Sequence, residues 1–348
     1  MRRLLLVALL MACAGCALTA DVPYYWQSAR GQMALLSLAR PVDEWLADPR
    51  TDPRLRGRLQ LAHQVRRFAS RELALPDNRS YTRYAELGRP FVVWNVFAAP
   101  ALSLQLKQWC FPVAGCVTYR GYFDRDAAEA HAAQLRAAGW ETYVAGVPAY
   151  STLGWFDDPL LSTFIHYPEA ELARLIFHEL SHQVVYLKGD SAFNESFATA
   201  VEEVGVERWL TAHGDAAMRS RYAEFSQRRR QFVLLLQRNR ARLEAVYQQA
   251  APEEARLAAK QAVFAELRRE YEQLKQEWGG FAGYDRWFAQ PLSNAHLASV
   301  ATYNVWVPGF RRLLTLNGGS LPRFFDAVRQ LSEQPVEQRE RALSQAGG

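Results

Sequence analysis

The sequence has 348 residues, of which 49% are hydrophobic and 22% are charged. This ordinary globular composition excludes a mainly disordered chain and a disulfide-dense mini-protein. The only apolar run that approaches membrane-spanning length lies at the N-terminus, which excludes a polytopic membrane protein. The formal net charge of +5 includes two arginines of that N-terminal segment and is too small to indicate a nucleic-acid partner.

The N-terminal segment has the features of a bacterial targeting sequence. It opens with two arginines and continues as a short apolar run up to Ala12. The next four residues, Cys-Ala-Gly-Cys, resemble the lipobox of bacterial lipoproteins, in which Cys16 would carry the lipid and become the mature N-terminus. An ordinary signal peptide is the alternative. Ala17 in place of an aspartate resembles sorting to the outer membrane. We therefore expect a signal peptide over residues 1–16 and a lipid-anchored protein on the periplasmic face of a Gram-negative envelope.

Two cysteines remain after that segment, Cys110 and Cys116. In an oxidising compartment, such a closely spaced pair is expected to form one disulfide that closes a small loop. Free thiols are the alternative. A zinc site built from them is disfavoured, because no second pair and no nearby histidine completes four ligands.

The first 150 residues mix helices with short strands. Residues 43–75 are rich in Leu, Arg and Ala and predict a helix. Asp124 is expected to cap another helix that runs to about Ala138. β-branched and aromatic runs predict strands over residues 91–97, 115–122 and 140–147. This order of elements predicts a small mixed sheet with a helix packed against it.

Beyond Pro159 the pattern is almost entirely helical. Helices are predicted over residues 168–187 and 192–213, followed by a long charged helical hairpin over about 216–278. The fold class predicted from these patterns is α+β and predominantly α-helical. We divide the mature chain into an N-terminal region that contains helices and strands (17–150) and a helical domain (151–348).

The sequence His178-Glu179-Leu180-Ser181-His182 carries the clearest chemical signal. A spacing of four residues puts both imidazoles on one face of a helix, where they can bind the same ion. Glu179 lies next to His178, within reach of a water on that ion without being a ligand. Zinc held in this way lowers the pKa of a bound water. A nearby carboxylate can accept the proton of that water as the water attacks a peptide carbonyl. The alternative is a surface helix with two incidental histidines.

A catalytic zinc site needs a third protein ligand, and the next helix offers two carboxylates. Gly189 can end the first helix, so that the second runs back antiparallel to it. Glu195 and Glu202 then lie about one turn to either side of the position opposite His182. Spacing alone does not choose between them, and a solvated helix carboxylate is the alternative for each.

The metal motif followed by Asn194-Glu195 resembles the gluzincin class of zinc peptidases. More narrowly, the chain resembles a bacterial family of aminopeptidase lipoproteins, through the stretches CFPVAGC (110–116), YSTLGWFDDP (150–159) and FNESFA (193–198). The resemblance implies a zinc-peptidase-like helical domain, with one Zn²⁺ held by His178, His182 and Glu195 and with Glu179 as the general base. Many gluzincins have an aspartate four residues after the glutamate ligand, and here that residue is Thr199. Support for a histidine must then come from elsewhere, such as Glu202 or a backbone carbonyl.

Further site residues are expected from the chemistry of peptide hydrolysis. Tyr303 or His296 could stabilise an oxyanion, although a core position is the alternative for Tyr303 and an incidental histidine is the alternative for His296. An aminopeptidase must hold a free amino group, for which Asp157 and Asp158 are candidates, with a simple turn as the alternative. The preceding residues 144–153 are predicted as an edge strand on which an extended peptide could lie.

The function expected from these features is zinc-dependent hydrolysis of peptide bonds in the cell envelope, as an aminopeptidase. A non-catalytic envelope scaffold or chaperone that retains a zinc site is the alternative from a different class, and Glu179 argues against it because a structural site has no use for a base. Hydrolysis of another amide, such as a peptidoglycan stem peptide, is a third interpretation.

Overall fold

The fold is known from a computed structural model, which describes residues 22–111, 115–301 and 306–344. It is α+β and predominantly helical, as predicted. The division of the mature chain at residue 150 stays a prediction. None of the helices in the described ranges is long and apolar enough to cross a membrane.

The helices, in chain order, are α1 (22–38), α2 (Val42–Ala47), α3 (Pro53–Leu73), α4 (Arg125–Ala137), α5 (Glu169–Ser181), α6 (Ser191–His213), α7 (Ala216–Tyr247), α8 (Glu253–Glu277), α9 (Asp285–Phe288), α10 (Asn294–Ala301), α11 (Val307–Leu316), α12 (Leu321–Ser332) and α13 (Val336–Ser344). The strands are β1 (Arg40–Pro41), β2 (Arg83–Ala85), β3 (Val93–Ala99), β4 (Trp109–Phe111), β5 (Gly115–Val117), β6 (Arg120–Tyr122), β7 (Glu141–Val147) and β8 (Leu160–Leu161).

Within the described ranges the strands form small sheets, of which the central one has the order β6-β3-β7. Both of its outer strands run antiparallel to β3, and α4 packs against β3 and β7. A second sheet has the order β1-β2-β8, in which β2 and β8 are parallel. The hairpin of β4 and β5 contains the disulfide between Cys110 and Cys116.

The main hydrophobic core lies among α3, α5, α6, α11 and α12. Phe177 of α5 and Trp209 of α6 are fully buried there beside Phe68 of α3. Gly205 of α6 permits close packing, because a Cβ at this position would lie 2.7 Å from the ring of Phe177. The core therefore fixes α5 against α6, the two helices that carry the predicted metal ligands.

The long charged helices form the hairpin that the sequence predicted. α7 packs along α8 and also contacts α10 and α5. A second apolar cluster, which includes Leu235 and Leu267, joins the two helices. The hairpin is therefore attached to the metal-site helix along one face of α7.

Several predicted boundaries are wrong. The helix predicted over 43–75 is two helices, because the Asp52 side chain caps α3 by accepting from the backbone N–H groups of Arg54 and Leu55. The strand predicted over 115–122 is divided into β5 and β6.

Two of these boundaries lie close to the site. The edge strand predicted over 144–153 ends at Val147, because Pro148 follows and has no N–H to donate. The helix predicted over 168–187 ends at Ser181, and the next residues form a turn in which Val184 N–H donates to Ser181 O.

Candidate metal centre

Helix α5 carries His178 in its last turn, and His182 follows directly at its C-terminal cap. Glu169 and Glu171 lie in its first turn, where negative charge is favoured by the helix dipole. Leu172, Ile176 and Leu180 recur at intervals of four and are fully buried. This apolar stripe fixes the rotation of α5, so that His178 lies on a face that retains partial exposure, whereas His182 is buried.

The turn between α5 and α6 is held by side chains of α6. Asp190 caps the helix by accepting from the backbone N–H of Phe193 at 3.0 Å. Asn194 is buried and makes two hydrogen bonds to Leu187, accepting from its N–H at 2.7 Å and donating to its C=O at 2.8 Å. Because these bonds fix the start of α6, they also fix the adjacent Glu195.

His178, His182 and Glu195 come together as the resemblance implied. One potential ligand atom from each residue lies within 4.8 Å of those of the other two. Nε2 of His178 is 3.3 Å from one carboxylate oxygen of Glu195, and Nε2 of His182 is 3.8 Å from the other. Two imidazoles and a carboxylate are a donor set that suits zinc and leaves room for a fourth ligand.

Glu202 lies behind His178 rather than in the ligand set. Its Oε2 is 2.9 Å from Nδ1 of His178. A carboxylate at this distance favours the proton on Nδ1, so that Nε2 is the atom that would bind a metal after losing its own proton. Glu202 thus supplies the support for a histidine that an aspartate gives in many gluzincins. The packing of α5 against α6 makes the choice between the two carboxylates.

Two arginines surround Glu202, and the sequence analysis missed both. Arg174 of α5 and Arg229 of α7 donate to its carboxylate at 3.0 and 2.8 Å. Burial raises the pKa of Glu202, but these arginines and the hydrogen bond of His178 outweigh burial and hold the pKa well below its usual range. Glu202 is therefore charged at neutral pH, although it is completely buried.

The carboxylates make the centre attractive to a cation. Burial lowers the pKa of His178, but Glu195 and Glu202 outweigh this effect and raise it to about 10. Burial is the larger effect at His182 and lowers its pKa to about 4. Without a metal, His178 thus carries the positive charge that its carboxylate partners require. The Nδ1 atom of His182 makes no hydrogen bond to the described residues.

Glu179 has the properties of a general base. Burial raises its pKa to about 7, with Glu195 and Asp158 adding repulsion and His178 opposing them. A base is most effective when its pKa lies near the operating pH. The side chain also retains partial exposure, so that water can reach it.

The two aspartates predicted to bind substrate have structural partners. Asp157 pairs with Arg79 at 3.2 Å. Asp158 is buried and accepts from the backbone N–H and the hydroxyl of Thr152 at 2.9 and 2.7 Å, which closes the loop before β8. These contacts favour the turn that was the alternative. Asp158 still lies close enough to raise the pKa of Glu179.

The loop that contains Tyr81 also lies near the centre, and the sequence did not predict this. Tyr81 is buried with a φ of 63°, and its hydroxyl has no hydrogen-bond partner among the described residues. Its pKa is raised well above the usual value by burial and then by Glu179. Gln183, which follows His182, bonds to Asn78 and Ser80 and ties this segment to α5. No signal in the sequence could have found Tyr81, because about a hundred residues separate it from the metal motif.

The other predicted residues contribute nothing to the described geometry of the centre. His296 is buried against Tyr143 and Trp287, and its Nδ1 lies 3.0 Å from the hydroxyl of Ser293. This position in the core favours the alternative, an incidental histidine. Tyr303 and the proposed lipidation residue Cys16 lie outside the described residues.

Comparison with known proteins assigns nearly the whole chain to one family. The family described as "Putative aminopeptidase" matches residues 23–343. No curated protein and no solved structure matches the chain. The match extends over nearly all of the described residues and includes every member of the candidate centre. The chain therefore belongs to the putative aminopeptidase family.

Proposed function

We propose that this protein is a zinc-dependent aminopeptidase of the bacterial cell envelope. The observation that carries the proposal is the convergence of His178, His182 and Glu195, with ligand atoms within 4.8 Å of one another. The contact of Glu202 with Nδ1 of His178 supports it, because a proton held on Nδ1 makes Nε2 the atom that would bind a metal. The family to which the chain belongs is the second support.

The donor set favours zinc over harder cations. Magnesium and calcium select carboxylates, carbonyls and water, whereas imidazoles suit zinc. His178, His182 and Glu195 would hold the ion, and the partial exposure of His178 and Glu195 leaves access for water and substrate. When bound, zinc would supply Lewis-acid activation of water and of the peptide carbonyl.

Glu179 would act as the general base and then as the general acid of the reaction. With a pKa of about 7, its carboxylate can accept a proton from the attacking water and donate it to the leaving amine. A purely structural zinc site needs no such group, so Glu179 favours hydrolysis over a scaffold. Tyr81 is a candidate donor to the developing oxyanion, because its buried hydroxyl lacks a partner among the described residues.

The location and the anchor are part of the same proposal. The segment that ends in Cys16 has the pattern of a lipoprotein signal, so substrates would be peptides in the periplasm. A disulfide between Cys110 and Cys116 suits that oxidising compartment.

The proposal is tested with a peptide library, offered with free and with acetylated N-termini to the zinc-loaded protein. We expect hydrolysis of the free peptides, and loss of hydrolysis in Glu179→Gln with its zinc retained. Glu171→Gln, on the first turn of the same helix, is the matched control and should behave as the wild type. Hydrolysis of acetylated peptides would instead indicate an endopeptidase. Failure to cleave any peptide, with zinc bound, would favour the scaffold.

A further inference from the structure

We propose that the exposed face of α1 lies on the surface of the lipid bilayer. Val22, Trp26, Ala29 and Met33 of this helix are exposed and follow a spacing of three or four residues, so they form one stripe. Trp26 is 69% exposed and Met33 is 62% exposed. Tyr25 and Leu38 of the same helix are also exposed. Large exposed side chains of this kind, collected on one helix, indicate an interaction surface.

The opposite face of α1 is fixed to the rest of the protein. Gly31 lies so close to Phe123 that a Cβ at this position would be 2.2 Å from the ring. Leu35 is buried, and Gln32 accepts a hydrogen bond from the hydroxyl of Tyr150. The helix therefore cannot rotate its apolar stripe into the core, and the stripe is a permanent feature of the surface.

The chemistry of the stripe suits a membrane interface. Tryptophan and tyrosine are enriched at the level of the lipid headgroups. Residues 22–38 contain no aspartate or glutamate, and their only charged residue is Arg30, which is exposed beside the stripe. A helix with an apolar face and a basic flank can lie in the plane of an anionic bilayer.

The start of the chain brings this helix close to a membrane. If Cys16 carries the lipid, six residues lead from it to Val22 and reach at most about 20 Å when fully extended. This step rests on the anchor in the proposed function. The lipid would hold the chain near the bilayer, and contact of the stripe with the membrane would add to that attachment. The stripe on α1 supplies such a second contact, which would hold the protein in one orientation on the membrane.

The test uses the full-length protein, purified from a Gram-negative host and reconstituted into vesicles of phosphatidylethanolamine and phosphatidylglycerol. A fluorophore is attached at Met33→Cys or, as a matched control, at Leu316→Cys on α11, where the native side chain is 71% exposed. The described cysteines are joined in a disulfide, so that an added thiol is labelled selectively. We expect iodide to quench the control fluorophore several-fold more strongly than the one at position 33, and lipids with a quencher on the acyl chain to do the reverse.

Equal quenching of both positions by iodide would overturn the proposal. Protection of position 33 from iodide could also come from contact with a second copy of the chain. If that protection disappears when the protein is diluted in lipid, the proposal is overturned in favour of such a contact.

The mass of the purified protein reports separately whether a lipid is attached. If no lipid is attached, the anchor is refuted, and vesicle flotation then tests the stripe alone. We expect Trp26→Glu/Met33→Glu to float at least ~10-fold less than Leu316→Glu/Val336→Glu. Equal flotation of the two would refute the stripe. Zinc content and peptide hydrolysis, measured on the same samples, show independently whether the proposed activity holds.

Discussion

The change Glu202→Gln tests the arrangement around the metal centre. It retains the size of a fully buried side chain but removes the charge that faces Arg174, Arg229 and His178. A glutamine can accept through only one of its two terminal atoms, whereas the carboxylate accepts from three groups through both oxygens. At least one of these groups then loses its acceptor.

The expected losses of stability and of zinc affinity follow from this missing acceptor. Removing one partner of a buried ion pair costs about 3–5 kcal/mol of stability, because the remaining charge stays buried without compensation. Arg174 and Arg229 are partly exposed, so we expect about 3 kcal/mol, the lower end of that range. Loss of the group that orients a histidine ligand lowers metal affinity by about 10–100-fold.

The assay measures chemical unfolding of the metal-free chain and zinc affinity by competition with a chelator, both at pH 7. Glu203→Gln is the matched control, because the adjacent Glu203 makes a partly exposed ion pair with Arg311 at 3.2 Å. That change should cost less than about 1 kcal/mol and leave zinc affinity unchanged. Wild-type zinc affinity in Glu202→Gln would refute the assigned role of Glu202.

Three further predictions concern the packing and the electrostatics around the centre. Gly205→Ala should lower the free energy of unfolding by about 1–3 kcal/mol through overpacking, whereas Gly57→Ala, where a Cβ meets no neighbour, should raise it by up to about 1 kcal/mol. Asn194→Ala should lower it by about 1–3 kcal/mol, because a buried amide and its two hydrogen bonds to the backbone of Leu187 are lost. Burial raises the pKa of Asp158 to about 6, so its protonated form is stabilised by folding. The stability of the wild type should therefore fall by about 3 kcal/mol relative to Asp158→Asn as pH rises from about 4 to 7.

Denaturant titrations measure the free energy of unfolding for all three predictions. The titrations of the wild type and Asp158→Asn are repeated across the pH range. A Gly57→Ala variant that is destabilised as much as Gly205→Ala would show that close packing against Phe177 does not explain the loss at position 205. An Asn194→Ala variant as stable as the wild type would mean that water replaces the lost hydrogen bonds. Parallel pH profiles of the wild type and Asp158→Asn would contradict the raised pKa.

The sequence predicted the parts of the site that depend on local spacing. The interval between His178 and His182 puts both on one helix face, whatever the rest of the fold does. The spacing of Glu195 and Glu202 allowed either to be the ligand, because the choice depends on how far α6 is displaced along α5. The two hydrogen bonds of Asn194 to Leu187 help to fix that displacement, and spacing cannot reveal them.

Contacts between distant segments could not be predicted. Arg229 reaches Glu202 from the hairpin, and Tyr81 approaches Glu179 from a loop before β2. Neither residue has a local pattern that separates it from other surface arginines or core tyrosines. The predicted helix over 168–187 extended too far for a related reason, since the turn after Ser181 is fixed by tertiary contacts of Gln183 and Leu187 rather than by a helix-breaking residue.

The zinc content of the purified wild type and of two variants is the most direct test of the proposed metal centre. We expect about one zinc per chain in the wild type and in Glu179→Gln, and almost none in Glu195→Ala after dialysis against a weak chelator. Retention of zinc by Glu195→Ala, or its loss from Glu179→Gln, would contradict the assignment of Glu195 as ligand and Glu179 as base.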